Sequence, residues 1–167
     1  MQSEFTPPLT RLDAVLWFLR VQMWVSVIAL ILAFIQPYPL SFSLGSILQN
    51  GIGNGISVLV LLIFPGVLAN SALGTSAREP LNSLLGLRSL VIRCVGLSLF
   101  VGNLGWAFIY SAYVLYSLVP NVSSAWAFGS GVGLSYMRFQ IGVTALRFIL
   151  GFFLAFGPAI RDNFRAR

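Results

Sequence analysis

Four apolar stretches, each close to the length that carries a helix across a bilayer, are packed into 167 residues and leave little chain for anything else. A transmembrane helix needs about 20 predominantly apolar residues at a rise of about 1.5 Å each. Four such helices and their connections use up the sequence, so no separate soluble domain fits beside them. The residue balance agrees: 57% are hydrophobic and 8% charged, and the mean hydropathy is +0.89. So few charges cannot cover the surface of a dispersed soluble domain. The expected fold is all-α, a polytopic membrane protein built as a four-transmembrane-helix bundle.

The spans are expected at about 14–35, 44–68, 90–118 and 138–158, with a cytoplasmic loop over 69–89 and an extracytoplasmic loop over 119–137. Thr10-Arg11-Leu12-Asp13 has the spacing of a helix start, because the threonine hydroxyl can cap a backbone N–H while the acid sits in the positive first turn. Pro80 is read as the first turn of a short amphipathic helix carrying Leu81, Leu84, Leu85 and Leu87 along the cytoplasmic surface. The chain's ten basic residues are all arginines, and they divide unevenly. Arg11 and Arg20 stand at the start of the first span. Arg78, Arg88 and Arg93 lie between the second and third, and Arg161, Arg165 and Arg167 follow the fourth. Four spans with both N and C termini cytoplasmic put every one of these clusters on the inner side. The net charge of +6 is thereby read as a topology signal, and nucleic acid is not expected as a partner. The expected home is a bacterial inner (plasma) membrane, with a thylakoid or organellar membrane as the other setting such a chain suits.

Depth follows from residue number. Arg147 falls near the midplane of the fourth span, Asn103 near that of the third and Asn54 near that of the second. Gln140, Thr144, Arg147 and Gly151 align on one side of the fourth helix. Asn50, Gly53, Asn54 and Ser57 align on the second, and Gln22 and Ser26 on the first. Arg147, Asn103, Asn54, Thr144 and Gln140 are therefore the candidate binding residues of a central polar pocket. A charge at mid-membrane depth is expensive and marks a functional site by default. The competing reading is that the amides and Thr144 only join helices together. Gly51 and Gly55 have the GxxxG spacing that lets two helix backbones approach, and are the candidate packing residues. Pro65 is placed to kink the inner end of the second span.

Enzyme chemistry is the least supported class. The chain has no histidine and no lysine, and its four acids, Glu4, Asp13, Glu79 and Asp162, all fall at the cytoplasmic side. General acid–base work and metal ligation both want such groups at a reacting centre. Cys94, the single cysteine, cannot form an internal disulfide and reads as packing. No cofactor, catalytic residue or metal site is expected, although a lipid or quinone-like ligand would suit the arginine. The function expected is that of a non-catalytic accessory, scaffold or assembly subunit of a larger membrane complex, with membrane lipids and other membrane protein subunits as partners. The alternative is a small binding or transport protein whose intramembrane pocket around Arg147 receives an anionic lipid, a quinone-like molecule or a solute.

Overall fold

A computed structural model describes residues 9–35, 44–81, 84–117 and 131–165. These form helices α1 (Arg11–Ile35), α2 (Leu44–Ile63), α3 (Pro65–Leu73), α4 (Leu84–Ser117) and α5 (Gly131–Arg165), with a 3-10 turn, Gly74–Arg78, after α3. Three helices are long and apolar enough to cross a membrane, over Arg11–Leu32, Gly86–Ala112 and Arg138–Arg161. The count rises to four if the bent pair α2 and α3 forms one span.

α1 begins where the sequence places its cap. The Asp13 carboxylate accepts from the Thr10 backbone N–H at 3.2 Å and from the Thr10 hydroxyl at 2.6 Å, while the Asp13 N–H donates to Thr10 Oγ1 at 3.2 Å. This reciprocal arrangement satisfies donors that the first helical turn otherwise leaves open.

α2 runs unbroken through the glycine-rich stretch, and the chain turns instead at Phe64–Pro65, where the two helical pieces meet at 76°. Proline has no N–H to offer and its ring clashes with the carbonyl four residues back, so a helix cannot continue straight through it. The backbone bonds accommodate the corner: Phe64 N–H donates to Val60 at 2.9 Å, and the next such bond is Leu68 N–H to Phe64 at 3.0 Å. Pro65 thus becomes the first residue of α3, a position where the missing N–H is no loss.

The stretch expected as a cytoplasmic loop over 69–89 is largely helical where it is described. Ala69, Ala72, Leu73 and Ala77 are all buried, and their spacing puts them on one face of the chain as it leaves the bend. α3 packs this face against α1 and α5. Pro80 does not open the expected surface helix, while Leu84, Leu85 and Leu87 are helical as the start of α4. Residues 79–81 pair instead with the start of α1: Arg11 N–H donates to Glu79 O at 3.1 Å and Leu81 N–H to Leu9 O at 3.3 Å, around a bridge between Thr10 and Pro80. Pro80 occupies the position whose N–H the bridge does not use. An ion pair, Arg11 to Glu79 at 2.9 Å, reinforces the contact.

α4 is the centre of the structure. It packs extensively on α5 and α2, while α1 packs chiefly on α2 and α3. Leu97 and Val101 of α4 are fully buried, as are Val15 of α1 and Ala155 of α5. The α4–α5 contact is backbone-close. A Cβ on Gly151 would lie 2.5 Å from Phe100 N and 2.9 Å from Gly96 O, and one on Gly96 would lie 2.8 Å from Leu154. Beside this contact Phe100 stacks on Phe148 at 4.7 Å and meets Phe156 edge-on at 5.4 Å. The extracytoplasmic loop expected over 119–137 lies outside the described residues as far as 130. From Gly131 onward the backbone is already helical.

Candidate functional site

Several polar residues of the helix interior bond within the chain. Ser57 Oγ, on α2, donates to Val101 O of α4 at 2.9 Å, tying the two helices at their crossing. Gln22 of α1 accepts from Ser98 of α4 at 3.3 Å. Asn103 turns back on its own helix, donating to Leu99 O at 2.7 Å. A polar side chain in an apolar surrounding needs such a partner, because no water is there to replace it.

The α2–α4 crossing is built on glycine, at a different position from the one the GxxxG spacing suggests. A Cβ on Gly105 would run into the Gly53 carbonyl oxygen and lie 2.6 Å from its carbon. Trp106 closes over the other side of the contact, 3.2 Å from where a Cβ on Gly53 would stand. Gly55 has nothing within 4 Å of its would-be Cβ, and Gly51 is half-buried. The physical reason is angular: positions two apart lie about 200° around a helix, so Gly51 and Gly55 face away from the side that Gly53 presents. At the crossing with α4 the close approach of α2 is carried by Gly53.

Arg93 is a buried cation that depth alone did not single out. It is 5% exposed and donates from Nη1 to Ala72 O, in the last turn of α3. The neighbouring carbonyls there are also engaged. Asn70 O accepts from the Gly74 N–H, and Leu73 O accepts from Ser76 Oγ at 2.8 Å. A guanidinium at a helix C-terminus meets both the orphan carbonyls and the negative end of the helix dipole. Arg93 therefore fixes the end of the bent segment against α4. In the sequence it read only as one of a basic cluster, because nothing local announces that α3 ends beside it.

The candidate binding residues separate. Thr144 is buried and Asn54 and Gln140 are half-buried, but Arg147 is exposed. Its position on α5 explains the split. Thr144, one turn before it, is buried, and Gly151, one turn after it, lies in the contact with α4. Arg147 is rotated about 60° and 40° from them at 100° per residue, onto the rim of that contact. The surface beside it is apolar and outward: Leu146 is 67% exposed, Ile149 52% and Leu150 48%. Asn103 and Arg147 stand at one level, since Gly151 and Phe148 meet α4 at Phe100 and the antiparallel course carries α5 from there towards Asn103. No described hydrogen bond joins the two. The described cavity is elsewhere, a groove of about 520 Å³ along the start of α1, lined by Leu9, Asp13, Leu16, Trp17 and Arg20.

Arg147 stands nine positions from Arg138 and fourteen from Arg161, the ends of its apolar window. At about 1.5 Å per residue those are depths of about 13 Å and about 21 Å. The described acids are remote from it. Glu79 is paired with Arg11 and Asp13 is held in the α1 cap. Both belong to the end of the molecule where Gly74 lies against Ala159, about 18 Å along α5 from Arg147. Asp162 lies farther still, and Glu4 is outside the described residues. Among the described residues, no hydrogen bond or ion pair engages Arg147. A guanidinium so placed can bind a carboxylate or phosphate through a planar fork of donors, and does no acid–base chemistry itself.

Compared with known proteins, the chain matches no family model, no curated protein and no solved structure.

Proposed function

We propose that the chain is a non-catalytic integral membrane subunit that assembles, as an accessory or scaffold, with other membrane proteins. The observation that carries this reading is Arg147, a charge at mid-depth of an apolar helix that faces away from the chain's own interior. On insertion scales a central arginine costs about 2.5 to 3.5 kcal/mol. Such residues are retained mainly where they face protein or a watered cavity. A pocket at the centre of the helices would need Arg147 turned towards Asn103 and Asn54. The exposed guanidinium and the engaged Asn103 amide favour an interface over that pocket.

In this reading the chain crosses a bacterial inner membrane four times, with both termini cytoplasmic. α2 supplies the second crossing, since 20 residues at about 1.5 Å each span about 30 Å, the thickness of the hydrocarbon core. α3 and the 3-10 turn then run along the inner face. Two facts support this layout. The Arg11–Glu79 pair and the Gly74–Ala159 contact bring the start of α1 and the end of α5 to one segment, and the basic residues cluster at that end.

Purification in mild detergent followed by native mass spectrometry tests the role. A constant protein companion at fixed stoichiometry is the expected result. Retention of a small molecule without a companion would replace this reading with the binding or transport alternative. Reporter fusions test the layout: those at Ser76 and Arg167 should report cytoplasm, and those at Tyr38 and Ser124 the opposite side.

A further inference from the structure

We infer that the rim of α5 around Arg147 receives a transmembrane helix of a different protein chain, one that carries an aspartate or glutamate at mid-membrane depth. This rests on the reading of the chain as an assembled subunit and names the chemistry of its partner.

Three observations select this occupant. The first is charge complementarity at depth. An exposed guanidinium about 13 Å inside its apolar window, ringed by outward Leu146, Ile149 and Leu150, is matched by a carboxylate at the same level. The pair neutralises two groups that hydrocarbon would each disfavour.

The second is the shape of the rim. Gln140, Arg147, Leu154 and Arg161 recur every seven residues, and such a line drifts only about 20° per repeat along a helix. Gln140 and Leu154 are half-buried at the edge of the α4 contact, while Arg147 and Arg161 are exposed. A seam of that period is the geometry of two helices crossing at a shallow left-handed angle, with polar positions fixing the register. α5 has room for it, because its extensive contact is with α4 and its smaller one with α3.

The third is the exclusion of a second copy. The described acids are remote from the middle of the spans: Asp13 and Glu79 are tied at the α1 start, and Asp162 lies beyond Arg161. The described part of an identical chain therefore offers no carboxylate at this depth, and a two-fold pairing through this rim would set Arg147 against Arg147. A lipid phosphate lies at the interface rather than at mid-depth, and stands here as an outcome of the test.

The test places a photo-crosslinking amino acid at Leu146 or Leu150 of the full chain in its native membrane, with Trp24, outward on α1, as the comparison position. The expected result is a discrete protein adduct from 146 and 150. It should fall at least tenfold in Arg147→Leu and Arg147→Gln at unchanged accumulation, and less in Arg147→Lys. The adduct's sequence should show a mid-span acid whose change to the amide abolishes the crosslink. Exchanging the charges, Arg147→Glu with arginine at the partner's acid, should restore it. An adduct that survives Arg147→Leu, or a partner without a mid-span acid, overturns this inference while leaving the subunit reading intact. Crosslinks at 146, 150 and 24 only to lipid or to the chain itself overturn both.

Discussion

Arg93 and Arg147 both sit inside the apolar windows of neighbouring, antiparallel helices, and the structure treats them oppositely. Arg93 is enclosed where α4 meets the end of α3, with its guanidinium turned to a helix carbonyl. Arg147 stands on the open rim of α5 with apolar side chains to either side of it. The first charge is consumed in holding the chain's own shape. The second has no described hydrogen bond or ion pair within the chain. The cost of an arginine in such a helix is set by depth, but its role is set by which way the helix turns it.

The contrast is breakable at several points, and the sharpest concerns the closed side of α4. Gly105→Leu would drive a side chain into the Gly53 backbone. Backbone offers no rotamer to yield, so destabilisation at or above the upper end of the usual overpacking range, about 3 kcal/mol or more, is expected. Thermal unfolding of the purified protein in detergent should show it as failure to accumulate or a large drop in Tm. Next comes Arg93→Leu. It leaves the Ala72 carbonyl without its charged donor, and loss of a hydrogen bond of that kind should cost about 2 to 3 kcal/mol. Protection of the α3 amides against hydrogen exchange should fall most, while the α4–α5 contact keeps its protection. Should Arg93→Leu melt as wild type does, the two arginines are not different in kind.

A smaller effect belongs to Ser57→Ala, which removes the bond to Val101 O. Hydrogen bonds between membrane helices average about 0.6 kcal/mol, so a shift of that size is expected in the same melt. The smallest effects are on the open side. A Cβ at Gly55 meets nothing within 4 Å, so Gly55→Ala adds no clash, and Arg147→Leu removes no described contact. Each should leave the stability of the isolated chain within about 0.5 kcal/mol, as surface changes commonly do. A clear loss from Arg147→Leu in the isolated chain would assign that residue an internal partner and remove it from the comparison.

Hydropathy made the long helices legible, and the Thr10–Asp13 pair made the start of α1 legible to the residue. The corner at Pro65 was also visible, because the missing N–H of proline is a local fact. What stayed hidden shares one property: it depends on direction around a helix, or on which segments meet. GxxxG spacing pointed to Gly51 and Gly55, while the crossing with α4 uses Gly53, on the other side of the same helix. The polar face written through Gln140, Thr144, Arg147 and Gly151 was correctly aligned, yet its edge falls between Thr144 and Arg147. Only the placement of α4 decides where that edge lies. The 69–89 stretch drew attention through its charges, which obscured the alanines that bury it. α3 is a short helix of modest hydropathy, and its order comes from packing on α1 and α5 rather than from anything local.

The tie between Leu9–Arg11 and Glu79–Leu81 has a consequence for how the protein is made. During synthesis α1 emerges long before its anchoring strand, since Glu79 is added only after α1, α2 and α3 are complete. At roughly 5 to 20 residues per second that interval lasts seconds. Until then the start of α1 has its own Thr10–Asp13 cap but not the tie to Glu79–Leu81. The bridge through Pro80 then closes a circuit around the first half of the chain, just before α4 begins. The two halves are thereby built in sequence: a first unit tied at its base, and then α4 and α5 laid against it.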